Sequence, residues 1–143
     1  MPIRTANATW NGDLKTGKGI VSSESGLFKD AAYNFAQRFE NAKGTNPEEL
    51  LGAAHAACFS MALSAGLSGA GFTVKSVKTT DKVHIDKVGD GFTITKIEVT
   101  CDAEVVGIDD KKFQEIAENT KKGCPVSKAL TGVEFILKAT LKK

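Results

Sequence analysis

From Leu50 to Ala70 the chain carries no Asp, Glu, Lys or Arg, and most of the run is Ala, Gly, Ser or Leu. About 20 apolar residues would be enough to span a bilayer. This run, however, is rich in small residues all round, holds His55 in its interior and has no basic or aromatic flank. That pattern predicts a helix packed closely by its neighbours in a protein core. The start is well marked. Asn46 suits the N-cap, Pro47 fits the first helical position, and Glu48 and Glu49 favour the positive end of the helix dipole. Gly69 and Gly71 mark the end. Any fold for this chain has to be arranged around one long buried helix.

The flanking segments read mostly as strands. Ala6-Asn7-Ala8-Thr9-Trp10 is followed by the turn signal Asn11-Gly12 and then by Gly19-Ile20-Val21-Ser22. The stretch from Tyr33 to Phe39 alternates apolar and polar, with Tyr33, Phe35 and Phe39 on one face and Arg38 on the other. After the helix, Val77, Thr79, Asp81, Val83 and Ile85 line one strand face, and Gly89-Asp90-Gly91 makes a turn. The next strand changes phase: Phe92 and Ile94 are even, whereas Ile97, Val99, Cys101, Ala103 and Val105 are odd. A bulge near Thr95-Lys96 accounts for the switch. Asp109 can cap a second helix with Phe113, Ile116, Ala117 and Thr120 on one face, ended by Gly123. Cys124 then caps a short third helix with Pro125 at its first position. The last strand turns Val133, Phe135, Leu137, Ala139 and Leu141 inward. Strands grouped around helices without regular alternation indicate an α+β class. With no repeat or linker, the 143 residues are expected to form a single domain, 1–143.

The formal charge of +2 is too small to argue for a nucleic-acid or membrane-surface partner. Pairs such as Lys111-Lys112, Lys121-Lys122 and Lys142-Lys143 fit solvated faces. Residues Met1 to Ala6 lack the apolar core of a signal peptide. A cytoplasmic protein is therefore expected, in which three cysteines are thiols used for chemistry or packing, not structural disulfides.

Cys101 shares the inward strand face with Val99 and Ala103, as a packing thiol would. Cys58 lies within the apolar helix, and Cys124 lies at a helix start, where a thiolate is stabilised. A shielded sulfur and a second one near a helix terminus suit an attacking and a resolving thiol. The residues alone do not decide which one attacks, and the cap position favours Cys124. His55, three residues before Cys58, shares its side of the helix, so His55, Cys58 and Cys124 could in principle offer three ligands to zinc. The spacing is no recognised metal signature, and a packed or hydrogen-bonded His55 is the preferred reading. His84, on a polar strand face, is expected to be solvated. The chain holds no phosphate-cradling glycine loop or nucleophile-elbow pattern.

The segment from Gly44 to Met61, with Asn46-Pro47-Glu48-Glu49-Leu50-Leu51 and Ala53-Ala54-His55-Ala56-Ala57-Cys58, resembles the signature of the osmotically inducible protein C (OsmC)/organic hydroperoxide resistance family. Gly123-Cys124-Pro125-Val126-Ser127 resembles its second cysteine motif. Gly17-Lys18-Gly19, Ser23-Glu24-Ser25-Gly26 and Arg38-Phe39-Glu40 fit as well, and the likeness covers essentially the whole chain. It is closer to the OsmC branch than to the organic hydroperoxide resistance branch, where the arginine comes earlier.

The resemblance implies an α+β thiol peroxidase with antiparallel sheets around a long buried central helix. It also implies an intertwined homodimer without metal or other cofactor, acting in defence against oxidative and osmotic stress. It assigns Cys58 as the peroxidatic thiol and Cys124 as the resolving thiol, and it matches Arg38 and Glu48 to the family's arginine and glutamate. Organic hydroperoxides, and hydrogen peroxide as well, are the expected substrates. An external dithiol is the expected reductant, for which a lipoylated protein is a candidate. Arg38 would offset the burial of Cys58, and Glu48 would hold its guanidinium through a bidentate pair. Glu48 and Cys58 are ten residues apart, roughly 15 Å along a continuous helix. The expectation is therefore that Glu48 serves the Cys58 of a second chain.

Overall fold

The structure is a computed structural model that describes residues 1–142; Lys143, half of the Lys142-Lys143 pair, lies outside the described residues. The chain divides into two compact units, Met1–Leu50 and Leu51 onward.

In the first unit, β1 (Ala6–Asn11), β2 (Lys18–Ser23) and β3 (Ala31–Asn34) form an antiparallel sheet in that order. The Asn11-Gly12 turn opens a longer connection to Lys18, with the Gly17 N–H donating to the Asp13 carbonyl. Gly19 is required at its place in β2. A Cβ there would come within 2.4 Å of the Tyr33 ring and 2.8 Å of Trp10, the two rings that meet across it at 5.4 Å.

The alternation read from Tyr33 to Phe39 does not make a strand throughout. It stops at Asn34, and Phe35–Phe39 is a short helix, α1. The Asn34 side chain accepts the Gln37 N–H at 3.1 Å and so caps it. Phe35 and Phe39, one turn apart, meet at 5.0 Å between ring centres.

Helix α2 (Pro47–Gly69) starts as its caps dictate, with the Glu49 N–H donated to the Asn46 side chain at 2.8 Å. It ends with Gly71 in the left-handed region at φ 90°, while the Phe72 N–H returns to the Leu67 carbonyl. By length and hydropathy it is the one helix among the described residues that could cross a membrane. It is instead a core helix: His55, Phe59, Leu63 and Leu67 form a buried line along it. On the opposite side Ala53, Ala54, Ala57, Met61 and Ala65 are open, Met61 with 76% of its surface exposed. Within one chain, burial of the helix is thus confined to one face.

In the second unit, β4 (Thr73–Val88) and β5 (Gly91–Val106) form a long antiparallel hairpin joined through Gly89-Asp90. The phase switch is real: His84 pairs with Lys96 and Ile85 with Ile94, which leaves Thr95 as the extra residue of a bulge. A second register shift lies between Val74 and Ser76. Beyond β5 come α3 (Asp110–Gly123), capped by the Asp109 side chain, and α4 (Pro125–Ala129), entered through Cys124. The last strand, β6 (Glu134–Lys142), pairs with β5 in parallel, so this sheet is mixed and not wholly antiparallel. The cause is the connection, because a helical crossover through α3 and α4 returns the chain in the direction of β5. The core lies between α2, α3 and this sheet. Phe59, Leu63, Ile97, Cys101, Ala103, Phe113 and Ala117 have no exposed surface.

Candidate active site

Cys58 is reached by the register of α2 and Cys124 by the junction between α3 and α4. The two sulfurs stand 3.0 Å apart, although 66 residues separate them in sequence. Both are free thiols. Their access differs, since Cys124 is completely buried whereas Cys58 keeps part of its surface open.

Their electrostatics differ too. Burial pushes the Cys58 thiol up, and its hydrogen bond with Cys124 pushes it further, against a smaller pull from the Val126 N–H. Cys124 is also raised by burial, but the balance is downward. The hydrogen bond shared with Cys58, the N–H and hydroxyl of Ser127, and the Val126 N–H all favour its thiolate. Within one chain, these contacts favour the thiolate at Cys124 more than at Cys58. This agrees with the reading of its cap position, and for Cys58 a nearby cation would favour the thiolate against burial.

In the first unit Arg38 is bound to Glu48, with Nε at 3.1 Å and Nη2 at 3.0 Å from Oε1. Both donors meet the same oxygen, so the pair is not the bidentate fork expected. The second oxygen, Oε2, is buried without a hydrogen-bond partner among the described residues. Arg38 also stands 5.1 Å from the centre of the Phe39 ring. Beside it Trp10, Tyr33, Phe35 and Phe39 line a cleft of about 210 Å³.

His55 is fully buried and hydrogen-bonded on both sides. Nδ1 lies 2.5 Å from Asp81 Oδ2, and Nε2 lies 2.9 Å from Ser127 Oγ. With both nitrogens occupied, His55 is not available as a zinc ligand. His84 is not simply solvated, because it is half-buried with Nε2 3.2 Å from Glu98. Cys101 is sealed in the core as expected.

Asp81 and Ser127 were not singled out as site residues from sequence. The available signal was a carboxylate on the inward face of β4, between Thr79 and Val83, where a charge needs a buried partner.

The OsmC-like protein family model matches residues 40–138, a span that contains both thiols. The chain belongs to the OsmC family. It is 55% identical over 127 residues to Peroxiredoxin OsmC of Escherichia coli (strain K12), covering 89% of each chain. Organic hydroperoxide resistance protein OhrB of Bacillus subtilis (strain 168) is more distant at 30% identity over 133 residues, with 92% of this chain and 93% of that protein covered. Among solved structures, an organic hydroperoxide resistance protein from Elizabethkingia anophelis superposes with a TM-score of 0.72 at 28% identity, over 99% of both chains. The higher identity to the OsmC branch agrees with the motif reading, and the α+β OsmC-like fold is the one described above.

Proposed function

We propose that this chain, a cysteine-based peroxidase, reduces organic hydroperoxides, and hydrogen peroxide as well, by a disulfide cycle between Cys58 and Cys124. The observation that carries this reading is the 3.0 Å separation of two free sulfurs with unequal access. A peroxide needs an open sulfur, and Cys58 is the open one. The Cys58 thiolate attacks the O–O bond, releases an alcohol or water, and becomes a sulfenic acid. Cys124 then displaces hydroxide from that sulfur and closes the disulfide, which an external dithiol reduces. A lipoylated protein is a candidate for this reductant.

Arg38 is proposed as the cation that draws the charge toward Cys58, with Glu48 holding its guanidinium. The chain acts as a homodimer in this scheme. The open face of α2, with Ala53, Ala57 and Met61, suits a second copy, since small residues permit close approach. Helices packed antiparallel about a two-fold axis would present the Arg38–Glu48 pair of one chain to Cys58 of the other. The aromatic cleft beside Arg38 would take the organic part of the hydroperoxide. The family span crosses the division at Leu50, which supports one catalytic domain over the whole chain, 1–143. A cytoplasmic setting, and a role in defence against oxidative and osmotic stress, suit a reducible thiol pair.

Peroxide challenge tests the cycle. One equivalent of cumene hydroperoxide should remove two thiols per chain and give a Cys58–Cys124 linkage by peptide mapping, with repeated turnover once a dithiol is supplied. Oxidation without turnover would instead describe a redox sensor.

The shared site has its own test, a heterodimer of one Glu48→Ala chain with one Cys58→Ser chain. The single working Cys58 then receives an intact Glu48 from its partner and should turn over at about half the wild-type dimer rate. Activity no higher than that of the Glu48→Ala homodimer would place both groups in one chain.

A further inference from the structure

His55 joins the two cysteine-bearing helices through groups that the peroxide step does not use. It sits one turn before Cys58 on α2, and its Nε2 holds the hydroxyl of Ser127, three residues after Cys124. Asp81, with a side chain 1% exposed, closes the far end of the chain of bonds. The direction of these bonds follows from the inventory of donors. A carboxylate only accepts, so the imidazole proton lies on Nδ1, and Nε2 is left to accept the Ser127 O–H. Having donated its own proton to His55, the Ser127 oxygen has only lone pairs to offer the neighbouring Cys124 thiol. Once Cys124 is a thiolate, the Ser127 hydroxyl turns its proton to that sulfur instead, and it is this donated bond that favours the thiolate. The groups facing the ring are Asp81 from β4, Ser127 from α4, Phe59 from α2 and Phe135 from β6, the last with ring centres 4.6 Å away. The titratable group bonded to this network is Cys124, through Ser127.

We propose that Asp81, His55 and Ser127 form a proton relay that deprotonates Cys124 for disulfide closure and reprotonates it when the disulfide is reduced. The proposal rests on the assignment of Cys58 and Cys124 made above and concerns only the second half of that cycle. In closure, the Cys124 S–H proton passes to Ser127 Oγ as the Ser127 proton passes to His55 Nε2. The Cys124 sulfur forms its bond to Cys58, the Cys58 S–O bond breaks, and the departing hydroxide takes a proton from solvent to become water. Asp81 stabilises the imidazolium. When the external dithiol cleaves the disulfide, the proton stored on His55 returns by the same path to Cys124. Ser127 touches the reacting sulfur and is a catalytic residue in this sense, whereas His55 and Asp81 act through it as positioning residues.

A relay suits Cys124 because its side chain has no exposed surface, whereas Ser127 and His55 lie beside it. Positioned acid–base groups contribute about 10²- to 10⁴-fold.

The test is rapid mixing of the reduced protein with hydroperoxide, following sulfenic acid formation and disulfide closure by quench and intact-mass analysis across pH. His55→Gln keeps hydrogen-bonding capacity but cannot carry the proton. Closure relative to the preceding peroxide step should slow about 10²-fold. Below the pKa of the Cys124 thiol it should also become steeply faster with rising pH, whereas wild type stays flatter. Ser127→Ala should behave alike and Ser127→Thr, which retains the hydroxyl, should recover closure; this pair decides the matter if His55→Gln does not fold. Wild-type closure and wild-type pH dependence in His55→Gln or Ser127→Ala would overturn the relay. A loss of rate with no change in pH profile would overturn it too, leaving only a packing role. If wild type itself forms no Cys58–Cys124 disulfide, the underlying assignment fails instead, which is a separate outcome.

Discussion

Cys58→Ser is expected to abolish peroxide consumption, whereas Cys124→Ser should reduce one equivalent and then stop with a sulfenic acid on Cys58. The contrast follows from access and from the identity of the nucleophile. Serine at position 58 offers an un-ionised hydroxyl, and removal of an enzyme's nucleophile costs on the order of 10⁴-fold or more. Serine at position 124 leaves the open sulfur in place but removes the group 3.0 Å away that captures it. In that variant Cys58 should also pass on to sulfinic acid more readily, since nothing intercepts the sulfenate. The electrostatics give the experiment its force. Within one chain the surroundings favour the thiolate at Cys124, which on charge alone would make Cys124 the attacker. A sulfenic acid found on Cys124 in the Cys58→Ser protein would reverse the roles.

Arg38→Ala should slow the reaction about 10- to 100-fold at neutral pH, the effect expected from losing one close opposite charge. The sign follows from Cys58, whose pKa is raised first by burial and then by its bond to Cys124. Only the thiolate attacks, so the rate rises with pH up to that pKa. Removing the cation pushes the pKa higher, which makes the deficit largest near neutrality and smaller in alkali. Arg38→Lys keeps the charge but not the planar donor set that meets Glu48 through Nε and Nη2, and should recover activity only in part. An alanine variant with an unchanged thiol titration and full rate would remove Arg38 from the mechanism.

The parts legible in the sequence are those determined by local chemistry. Asn46-Pro47 and Asp109 mark helix starts because a side-chain oxygen satisfies the first free N–H groups, and both caps form. The bulge at Thr95 shows as a change of phase because strand faces alternate strictly. Helix α1 was hidden because Phe35 and Phe39 share a face either way, four residues being two strand periods and about one helical turn. The parallel direction of β6 depends on a crossover, not on any residue within the strand.

At the site, both thiols were visible from sequence and their pairing was implied by the family motifs. The His55 network was not, because its partners lie 26 and 72 residues away and only the folded sheet assembles them. The single-oxygen grip of Arg38 on Glu48 was likewise beyond reach of a motif, which names residues but not which oxygen they share.

Cys101 gives the molecule an internal gauge of its own integrity. It has no exposed surface, and burial raises its pKa, so it is doubly protected from alkylating reagents in the native state. In the proposed oxidised form, with Cys58 and Cys124 joined, Cys101 would be the one thiol left to label. Its labelling rate then follows the fraction of molecules whose core has opened. Conformational free energy can thus be read by mass shift, without denaturant and without any optical probe.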